Sequence, residues 1–382
     1  MGPRLVLVAG ETSGDLLGAN LASALKKLRP DATLAGVTGP RMVAAGVESW
    51  FDIEQLSVMG LTEVLRHLPR LVRLRRELRE RILAWPADAL ITIDAPDFNL
   101  GLARQVKKAG RPTIHYVSPS VWAWRAGRIP KIARSLDQLL TLFPFEPELY
   151  APHGLRADFV GHPLADELAA GPDPASARTL LGLGHSTPVI ALLPGSRDGE
   201  LRRHVELLGQ TAARLHDRHP GAELIMLIGG ERQRGLATEL LGGLAKQAGI
   251  RLLSGQTRAG LEAADVAIAA SGTVTLEAFL LECPLTVFYR LAPTTYHLAR
   301  WLKLVRSRHV SLPNILSGEQ LVPERLQQAA TAEALAADAE TWLSHPERVA
   351  GYRLQAREWR QRLARDAGAR AAQCILESLQ RG

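Results

Sequence analysis

At 382 residues the chain exceeds a single ordinary hydrophobic core, which stops growing at roughly 250–300 residues, so we expect two domains. Its hydrophobic fraction of 46% is enough for buried cores, and without an apolar run of membrane-spanning length we expect no transmembrane helix. The net charge of +7 favours an anionic partner. Because the sequence lacks a zinc-finger spacing, an aromatic RNA-binding pattern and a lysine-rich tail, we expect no nucleic acid.

Two further features concern the compartment. Cys283 and Cys374 are the only cysteines, too few for a disulfide framework and without metal-ligand spacing, so both are expected to be packed residues. The N-terminal "MGPRLVLVAGETSGD" lacks the charged head, long apolar middle and cleavage site of a secretory signal. We therefore expect a cytoplasmic protein.

Strand-like and helical segments alternate in both halves of the chain. In the first half the strand-like segments are "RLVLVAG", "ALITIDAPD" and "PTIHYVSPS", and the helical ones include "DLLGANLASALKKL" and "NLGLARQVKKAG". In the second half the strand-like segments are "VIALLPGSR", "AELIMLIGG", "ADVAIAASG" and "PLTVFYR". This alternation predicts α/β domains with parallel, doubly wound sheets.

A stretch rich in Gly, Pro, Ala and Asp, "GHPLADELAAGPDPASARTLLGLGHSTP", separates the two series. We therefore predict an N-terminal Rossmann-like domain over residues 1–165 and a C-terminal Rossmann-like domain over 166–345. Residues 346–382 are predicted to be helices that pack back on the N-terminal domain. Two such domains facing across a cleft would bind ligands at the carboxyl ends of their strands.

The segment "GETSGDLLGA" follows the first strand and places Gly10, Gly14 and Gly18 before a helix. Its spacing is not the GxGxxG of a dinucleotide site. Taken alone, it indicates a tight turn in which Ser13 or Asp15 caps the helix.

The segment "LLPGSRDGE" predicts an anion site at a strand end of the second domain. Gly195 lets the backbone approach a ligand, and the following helix offers free N–H groups. The planar fork of Arg197 matches phosphate oxygens. The alternative is a helix-capped turn with a solvated arginine.

The segment "ASGTVTLEAFL" repeats this arrangement at another strand end. Ser271, Gly272 and Thr273 open a helix, and these small hydroxyl-bearing residues suit a diphosphate. Glu277, one turn further, can accept the two hydroxyls of a ribose. A capping box formed by Thr273 and a nearby acid explains the helix start equally well.

These segments belong to a longer set that resembles the lipid-A-disaccharide synthase family, nucleotide-sugar glycosyltransferases with two Rossmann-like domains, the GT-B fold. In the family's order the set reads "GETSGD", "IDAPDFN", "HYVSPSVWAWR", "FPFE", "GHPLAD", "LLPGSR", "ASGTVTLE" and "SLPNILSGEQLVPE". The family more often has alanine where Thr12 stands. The resemblance covers most of the chain and is specific as a set.

The resemblance implies an inverting enzyme of outer-membrane biogenesis, which joins UDP-2,3-diacylglucosamine to 2,3-diacylglucosamine 1-phosphate (lipid X). The products would be the β-1,6-linked lipid A disaccharide 1-phosphate and UDP. It also implies a cytoplasmic protein associated peripherally with the inner membrane. No cofactor is expected, and a homodimer stays open.

Because inversion needs one displacement, the acceptor's 6-hydroxyl with a general base suffices. Fixed positive groups at the departing diphosphate then contribute most, and Arg197 with the helix N–H groups could replace a metal. The sequence shows no DxD-type carboxylate pair that would hold a metal ion at the nucleotide. The candidates for binding the nucleotide sugar are Gly195, Ser196, Arg197, Ser271, Gly272, Thr273, Glu277 and, from "LPN", Asn314. Ser13 and Asp15 are counted among the acceptor contacts.

The segment "IDAPD" supplies the candidate base at a strand end of the first domain. We interpret Asp97 as the general base and Asp94 as a residue that orients it or ends the sheet. The alternative is that both carboxylates cap turns around Pro96. For Asp94 that alternative carries nearly equal weight.

The loop "SPSVWAWRAGR" concentrates aromatic and cationic residues in a chain with only 5% aromatic residues. In an extended segment Trp122 and Trp124 would lie on one side. Polar groups beside them suit the hydroxyls and phosphate of an acylated sugar, and they are Ser118, Ser120, Arg125 and Arg128. The alternative is that the tryptophans pack between the domains.

The segment "LSVMGLTEVLRHLPRLVRLRRELRERI" combines an apolar stripe with many arginines. The stripe is Leu71, Leu74, Leu78 and Ile82, and the arginines are Arg70, Arg73, Arg76 and Arg79. Such a helix suits an anionic lipid surface, although packing of the stripe on the sheet is commoner. Pro69 is predicted to split the segment into two helices.

Two other functions share these patterns. A nucleotide-sugar epimerase or hydrolase would use the same second-domain motifs, because those motifs indicate only UDP. A non-catalytic nucleotide-sugar or anionic-surface binding module is the third reading. Release of UDP that depends on the acceptor would separate transfer from both.

Overall fold

The computed structural model describes residues 2–56, 61–122, 126–291 and 308–381, with side chains described outside 61–68 and Ala126. The chain divides into two compact units, Met1–Asp166 with Arg362–Gly382, and Glu167–Gln361. Each unit holds one sheet whose neighbouring strands are parallel. The predicted pair of parallel α/β sheets is therefore confirmed.

The first unit has a seven-stranded sheet in the order β3-β2-β1-β4-β5-β6-β7. Its strands are β1 (Arg4–Ala9), β2 (Thr33–Thr38), β3 (Glu48–Asp52), β4 (Ala89–Ile93), β5 (Thr113–Tyr116), β6 (Gln138–Thr141) and β7 (Arg156–Phe159). Its helices are α1 (Thr12–Leu28), α2 (Pro40–Ala44), α3 (Leu61–Ala84), α4 (Pro96–Lys108), α5 (Ile129–Ser135) and α6 (Glu146–Tyr150). The chain then passes into the second unit at α7 (Pro163–Glu167).

The second unit has a six-stranded sheet in the order β10-β9-β8-β11-β12-β13. Its strands are β8 (Val189–Leu193), β9 (Glu223–Ile228), β10 (Arg251–Ser254), β11 (Val266–Ala270), β12 (Leu285–Tyr289) and β13 (Glu324–Leu326). Its helices are α8 (Pro174–Leu181), α9 (Asp198–Arg218), α10 (Glu231–Leu241), α11 (Leu244–Gln247), α12 (Thr257–Ala263), α13 (Val274–Leu280), α14 (Leu312–Ser317), α15 (Ala332–Ser344) and α16 (Pro346–Leu363). The last helix, α17 (Ala367–Arg381), belongs to the first unit.

Apolar runs form the central strands because helices cover both faces of a parallel sheet. Every residue of β4, β8 and β11 is buried. In each sheet the strand order reverses at one place, between β1 and β4 and between β8 and β11. Ligands of open α/β sheets bind at such reversals, and the predicted motifs follow these four strands.

Helix α3 runs through Pro69, so the predicted split into two helices is wrong. Proline removes one backbone hydrogen bond from a helix. Packing of the apolar stripe offsets this cost, because Leu74, Leu78 and Ile82 are buried in the core of the first unit. The packing alternative for this stripe is what the structure shows.

The C-terminal helices belong to different units. The last helix packs on α1 so closely that a Cβ at Gly368 would lie 3.3 Å from the carbonyl oxygen of Asn20. Helix α16 is held within the second unit, where Arg360 donates to the carboxylate of Glu282 at 2.8 Å. No helix among the described residues is long and apolar enough to cross a membrane.

Candidate active site

A turn with left-handed backbone conformation follows β4 and leads into α4. It contains Asp94 and precedes Asp97, the two carboxylates from which the general base was predicted. Asp94 and Ala95 have φ values of 52° and 42°, a region that costs non-glycine residues roughly 1–2 kcal/mol each. The buried amide of Asn99 holds the turn by donating to the carbonyl of Asp94 at 2.8 Å and to that of Ile93 at 3.2 Å. Such strain is concentrated at functional sites.

Gly10, at the end of β1, makes room for this turn. A Cβ at position 10 would lie 2.1 Å from the Cβ of Ala95, far inside van der Waals contact. The adjacent Ser13 donates its hydroxyl to Oδ2 of Asp94 at 3.1 Å. The segments "GETSGD" and "IDAPD" therefore form one cluster at the switch point of the first sheet.

Asp97 lies in the first turn of α4 with 89% of its side chain exposed. Arg128 donates to Oδ1 of Asp97 at 2.7 Å, and Arg75 donates to its backbone carbonyl at 3.3 Å. Arg128 is itself only 31% exposed. An exposed carboxylate oriented by a half-buried arginine can receive a proton from a bound hydroxyl.

Asp15 faces another part of the first unit. Its buried carboxylate accepts the backbone N–H groups of Gly39, Arg41 and Met42, each at 3.0 Å. Both oxygens thus fasten the start of α2. Neither Ser13 nor Asp15 caps α1, since the residue before this helix, Glu11, makes no side-chain cap bond. These bonds give Asp15 a structural role, because both of its oxygens already accept backbone N–H groups.

The loop after β5 holds the aromatic candidates. Trp122 is half-buried, with its ring edge-on to Phe143 and Phe145 at centroid distances of 6.4 and 5.8 Å. The buried hydroxyl of Ser118 lies 2.9 Å from that of Tyr150, while Ser120 is exposed. Trp124 and Arg125 lie outside the described residues.

The turn after β8 is organised by Glu200. Gly195 has a φ of 110°, and a Cβ there would lie 2.5 Å from Oε2 of Glu200. That oxygen accepts the N–H groups of Ser196 and Arg197 at 3.0 and 3.2 Å. These two N–H groups are therefore occupied, and the N–H groups predicted to meet a phosphate are those of the first residues of α9, which follow them.

The guanidinium of Arg197 remains available. Its side chain is 80% exposed, and its contact with Oε1 of Glu200 is a long 3.4 Å. The same oxygen accepts the hydroxyl of Tyr289 at 3.0 Å. Glu200 therefore fixes the backbone of the turn while Arg197 points its charge toward solvent, where an anion can bind it.

The turn after β11 shows no capping box. Thr273 precedes α13 without a side-chain cap bond, which removes the alternative explanation of that helix start. Ser271 donates to the carbonyl of Val310 at 3.3 Å, and both Gly272 and Thr273 are exposed. The hydroxyl of Thr273 is therefore not needed by the helix.

Glu277 is half-buried one turn into α13. Burial raises its pKa, and the negative charges of Glu167 and Glu262 raise it further, while Arg258 opposes them. No described residue donates a hydrogen bond to its carboxylate. A carboxylate kept without protein donors suits ligand hydroxyls.

Asn314 has a different environment from the one its motif predicts. It is fully buried in α14, and its amide donates to the carbonyl of Val322 at 3.0 Å and to Glu324 at 2.9 Å. Its Oδ1 accepts the N–H of Val322 at 2.8 Å. These bonds fasten the loop before β13. The amide of Asn314 is therefore used within the protein and is not presented to a ligand.

Sequence reasoning missed three carboxylates, those of Glu146, Glu200 and Glu324, which organise the loops at the strand ends. Glu324 accepts the N–H groups of Val310 and Ser311 at 3.1 and 2.9 Å. A signal existed for Glu200, because Glu at the third helical position after a turn is typical of a capping box. Glu146 and Glu324 end two segments of the family's set, "FPFE" and "SLPNILSGEQLVPE", but nothing in those segments indicates which backbone groups the carboxylates bind.

Comparison with known proteins decides among the readings of these motifs. Residues 5–378 match the family model described as Lipid-A-disaccharide synthetase. The chain belongs to the lipid-A-disaccharide synthetase family. The Lipid-A-disaccharide synthase of Xanthomonas campestris pv. campestris (strain 8004) is 47% identical over 378 residues, which are 99% of this chain and 86% of that protein. The resemblance seen in the sequence is confirmed.

Solved structures agree on the fold. A UGT transferase from Siraitia grosvenorii in complex with UDP has a TM-score of 0.63 at 11% identity, covering 99% of both chains. UDP-GlcNAc 2-epimerase from Neisseria meningitidis bound to UDP-GlcNAc has a TM-score of 0.62 at 12% identity, covering 99% of this chain and 100% of that one. At such identities the likeness shows the shared GT-B-type fold alone, in agreement with the predicted fold class.

Proposed function

We propose that the protein carries out the reaction of its family, transfer of a 2,3-diacylglucosamine unit from UDP to the 6-hydroxyl of 2,3-diacylglucosamine 1-phosphate. The observation that carries the proposal is the placement of the family's motifs. They lie at the switch points of two parallel sheets, within a chain that belongs to the family over residues 5–378. The products are a β-1,6-linked disaccharide 1-phosphate and UDP.

The second unit is proposed to bind the nucleotide sugar. Glu277 accepts ribose hydroxyls, because its half-buried carboxylate has no donor among the described residues. Arg197 binds the diphosphate and stabilises the negative charge that grows on it as the sugar leaves. Thr273 and Ser271 lie at the neighbouring strand end, since β8 and β11 are paired.

Gly195, Ser196 and Gly272 complete the proposed nucleotide-sugar site by shaping the two turns beside Arg197. The Gly195 conformation, held against Glu200, brings the turn after β8 to the edge of the sheet. Exposed Ser196 and Gly272 leave room for the diphosphate beside Arg197. No cofactor is proposed for this chemistry.

The first unit is proposed to bind the acceptor and to supply the base. Asp97 takes the proton of the 6-hydroxyl as that oxygen attacks the anomeric carbon, and Arg128 orients it. Asp94 orients the turn through its bond to Ser13. Ser120 and Trp122 contact the acceptor sugar, and Trp124 and Arg125, by sequence, belong to the same loop. The buried Ser118 supports that loop through its hydroxyl, 2.9 Å from that of Tyr150.

Association with the inner membrane is proposed to use the exposed face of α3. Arg70, Arg73 and Arg76 are exposed there, as is Val72 with 55% of its surface. Arginines next to an apolar residue favour an anionic lipid surface. The buried leucine stripe takes no part. A homodimer stays an open proposal.

The deciding experiment measures UDP release by the purified protein with the diacylated UDP-sugar, in the presence and absence of lipid X. Transfer predicts release that depends strictly on lipid X, together with a disaccharide detected by mass spectrometry. UDP formed without acceptor would favour a hydrolase or an epimerase. Binding of UDP without any turnover would favour a binding module.

A further inference from the structure

A buried carboxylate joins two loops at the carboxyl edge of the first sheet. Glu146 begins α6, directly after the loop that follows β6, and only 2% of it is exposed. Its Oε2 accepts the backbone N–H groups of Leu142 and Phe143 at 3.1 and 3.0 Å. Its Oε1 accepts the indole N–H of Trp122 at 3.3 Å. Trp122 lies in the loop after β5, the neighbouring strand.

No described residue forms an ion pair with Glu146. A buried charge without a cation is costly, and such a group is retained where its hydrogen bonds perform a task. The two backbone N–H groups would be satisfied by a neutral oxygen as well. The distinctive feature is the second oxygen, which reaches out of its own loop to orient a half-buried tryptophan.

Aromatic contacts make this orientation specific. Phe143 and Phe145 stack with a centroid distance of 5.8 Å, and the ring of Trp122 meets both edge-on. The carboxylate fixes the polar edge of the indole, and the two phenylalanines fix its apolar body. The indole is thereby held in one orientation at the edge of the sheet where substrates of this fold bind.

We propose that Glu146 is a positioning residue for acceptor binding, which acts by holding the indole of Trp122 against the acceptor sugar. This inference rests on the proposed function, because it takes Trp122 as an acceptor contact. Glu146 itself touches neither substrate. Its action is therefore expected in the KM for the acceptor rather than in UDP affinity.

The ionisation of Glu146 provides a readout that a purely structural role would not. Burial raises the pKa of Glu146 to about 7, against the lowering effect of its hydrogen bonds. The ionised group accepts the three N–H donors and a hydrogen bond from the hydroxyl of Ser118. Protonation takes one lone pair for an O–H and so weakens the acceptance of the indole N–H. Acceptor binding should therefore weaken as the pH falls through about 7.

The neighbouring titratable groups keep their charge in this range. Burial raises the pKa of Tyr150, in the same helix, to about 12. Burial lowers the pKa of His162, whose ring packs on Phe143, to about 4. Arg128, whose charge acts on Tyr150, stays positive because a guanidinium does not deprotonate in proteins.

The test compares the purified wild-type enzyme with Glu146→Gln, Trp122→Phe and the double variant between about pH 5.5 and 8.5, a window around the raised pKa. Glutamine mimics the protonated carboxylate. Glu146→Gln should therefore raise the acceptor KM about 5- to 50-fold at high pH, which is the effect expected from the loss of one buried hydrogen bond. Its KM should lose the change near pH 7 and keep only the change that the acceptor phosphate, with a second pKa of about 6, causes in every variant. Trp122→Phe should also raise the acceptor KM and remove the change near pH 7. The acceptor KM of the double variant should be no higher than that of the more strongly affected single variant.

Glu148→Gln is the matched control, because Glu148 is exposed in the same helix; it should keep the wild-type KM and pH profile. UDP affinity, measured by calorimetry, should be unchanged in every variant, because UDP is assigned to the second unit, and a thermal melt with a single transition at the wild-type temperature checks that the first unit is folded. If Glu146→Gln does not fold, the pH profile of Trp122→Phe decides: a profile that lacks the change near pH 7 supports the proposal, and a wild-type profile overturns it.

Two results separate this inference from the function on which it rests. If Trp122→Phe raises the acceptor KM but Glu146→Gln does not, only the positioning role is overturned. An acceptor KM that is unchanged in Trp122→Phe would remove Trp122 from the acceptor site, and both the inference and that part of the proposed function would fail. Additive effects in the double variant would also overturn the inference, because Glu146 would then act independently of Trp122.

Discussion

The guanidinium of Arg128 lies 2.7 Å from Oδ1 of Asp97, although the two residues are 31 positions apart. Asp97 is 89% exposed, whereas Arg128 is 31% exposed, so the arginine is anchored and the carboxylate is presented. Such a pair orients one oxygen and leaves the other for a substrate. This geometry distinguishes Asp97 from Asp94, whose carboxylate accepts a hydroxyl from Ser13.

The first prediction follows from this difference. Asp97→Asn keeps the shape of the side chain but removes its basicity, so kcat should fall about 100- to 10,000-fold. UDP affinity in calorimetry should stay at the wild-type value, because UDP is assigned to the second unit. Asp94→Asn should be milder, since Asp94 is assigned an orienting role.

The two aspartate variants also test the assignment itself. Normal turnover in Asp97→Asn with an inactive Asp94→Asn would reverse the roles of the pair. If both variants were active, the base would lie outside "IDAPD".

The second prediction concerns the charge at the leaving diphosphate. Arg197→Lys keeps the positive charge but loses the planar fork, so kcat should fall at least about ten-fold. Arg202→Lys is the matched control, because Arg202 is exposed on the same helix, and it should turn over normally. Full activity of Arg197→Lys would remove Arg197 from the mechanism.

The fold was predictable from the sequence because local patterns decide it. Apolar runs of strand length, each followed by a helical pattern, can be buried on both faces only in a parallel sheet. The motifs were predictable for the same reason, since each directly follows such a run. Whether a residue lies at a strand end can be read from its neighbours in the sequence alone.

The partners of the site residues were not predictable in this way. Asp15 follows a strand end like Ser13, yet it binds the start of α2, whose N–H groups lie 24 to 27 positions away in the sequence. Asn314 likewise serves the loop before β13. Which way a polar side chain turns depends on where unpaired backbone groups lie nearby, and that is fixed only by tertiary packing.

The third prediction concerns Glu277 and pH. Two ribose hydroxyls need the ionised carboxylate, so Glu277→Gln should weaken UDP binding about 10- to 100-fold. The UDP affinity of the wild type should fall as the pH decreases and Glu277 becomes protonated. Because burial raises the pKa of Glu277, this fall should begin at a higher pH than it would for an exposed glutamate. Calorimetry across pH checks both points.

The control for Glu277 is Glu262→Gln, which removes a neighbouring negative charge that raises the pKa of Glu277. It should leave UDP affinity near the wild type and shift its pH dependence slightly toward lower pH. An unchanged UDP affinity in Glu277→Gln would mean that Glu277 does not contact the ribose.

The fourth prediction concerns metal ions. Because the guanidinium of Arg197 is proposed to supply the positive charge at the leaving diphosphate, activity should survive exhaustive chelation with EDTA. Turnover before and after chelation, with and without added magnesium or manganese, is the measurement. A loss on chelation that either ion restores would show that Arg197 does not suffice.

The fifth prediction tests the strained turn that carries Asp97. Gly10→Ala would place a Cβ 2.1 Å from the Cβ of Ala95, so the turn must move or the strand must shift. Overpacking of this kind costs about 1–3 kcal/mol of unfolding free energy, and kcat should fall because the turn sets the direction of Asp97.

Gly235→Ala, at a position in α10 with nothing within 4 Å, should instead stabilise the protein by about 0.5–1 kcal/mol at unchanged kcat. Denaturant unfolding and steady-state kinetics of both variants check this. If Gly10→Ala were destabilised but kept its kcat, the close approach of Gly10 to Ala95 would serve the fold alone, and the strain at Asp94 and Ala95 would have no part in aiming the base.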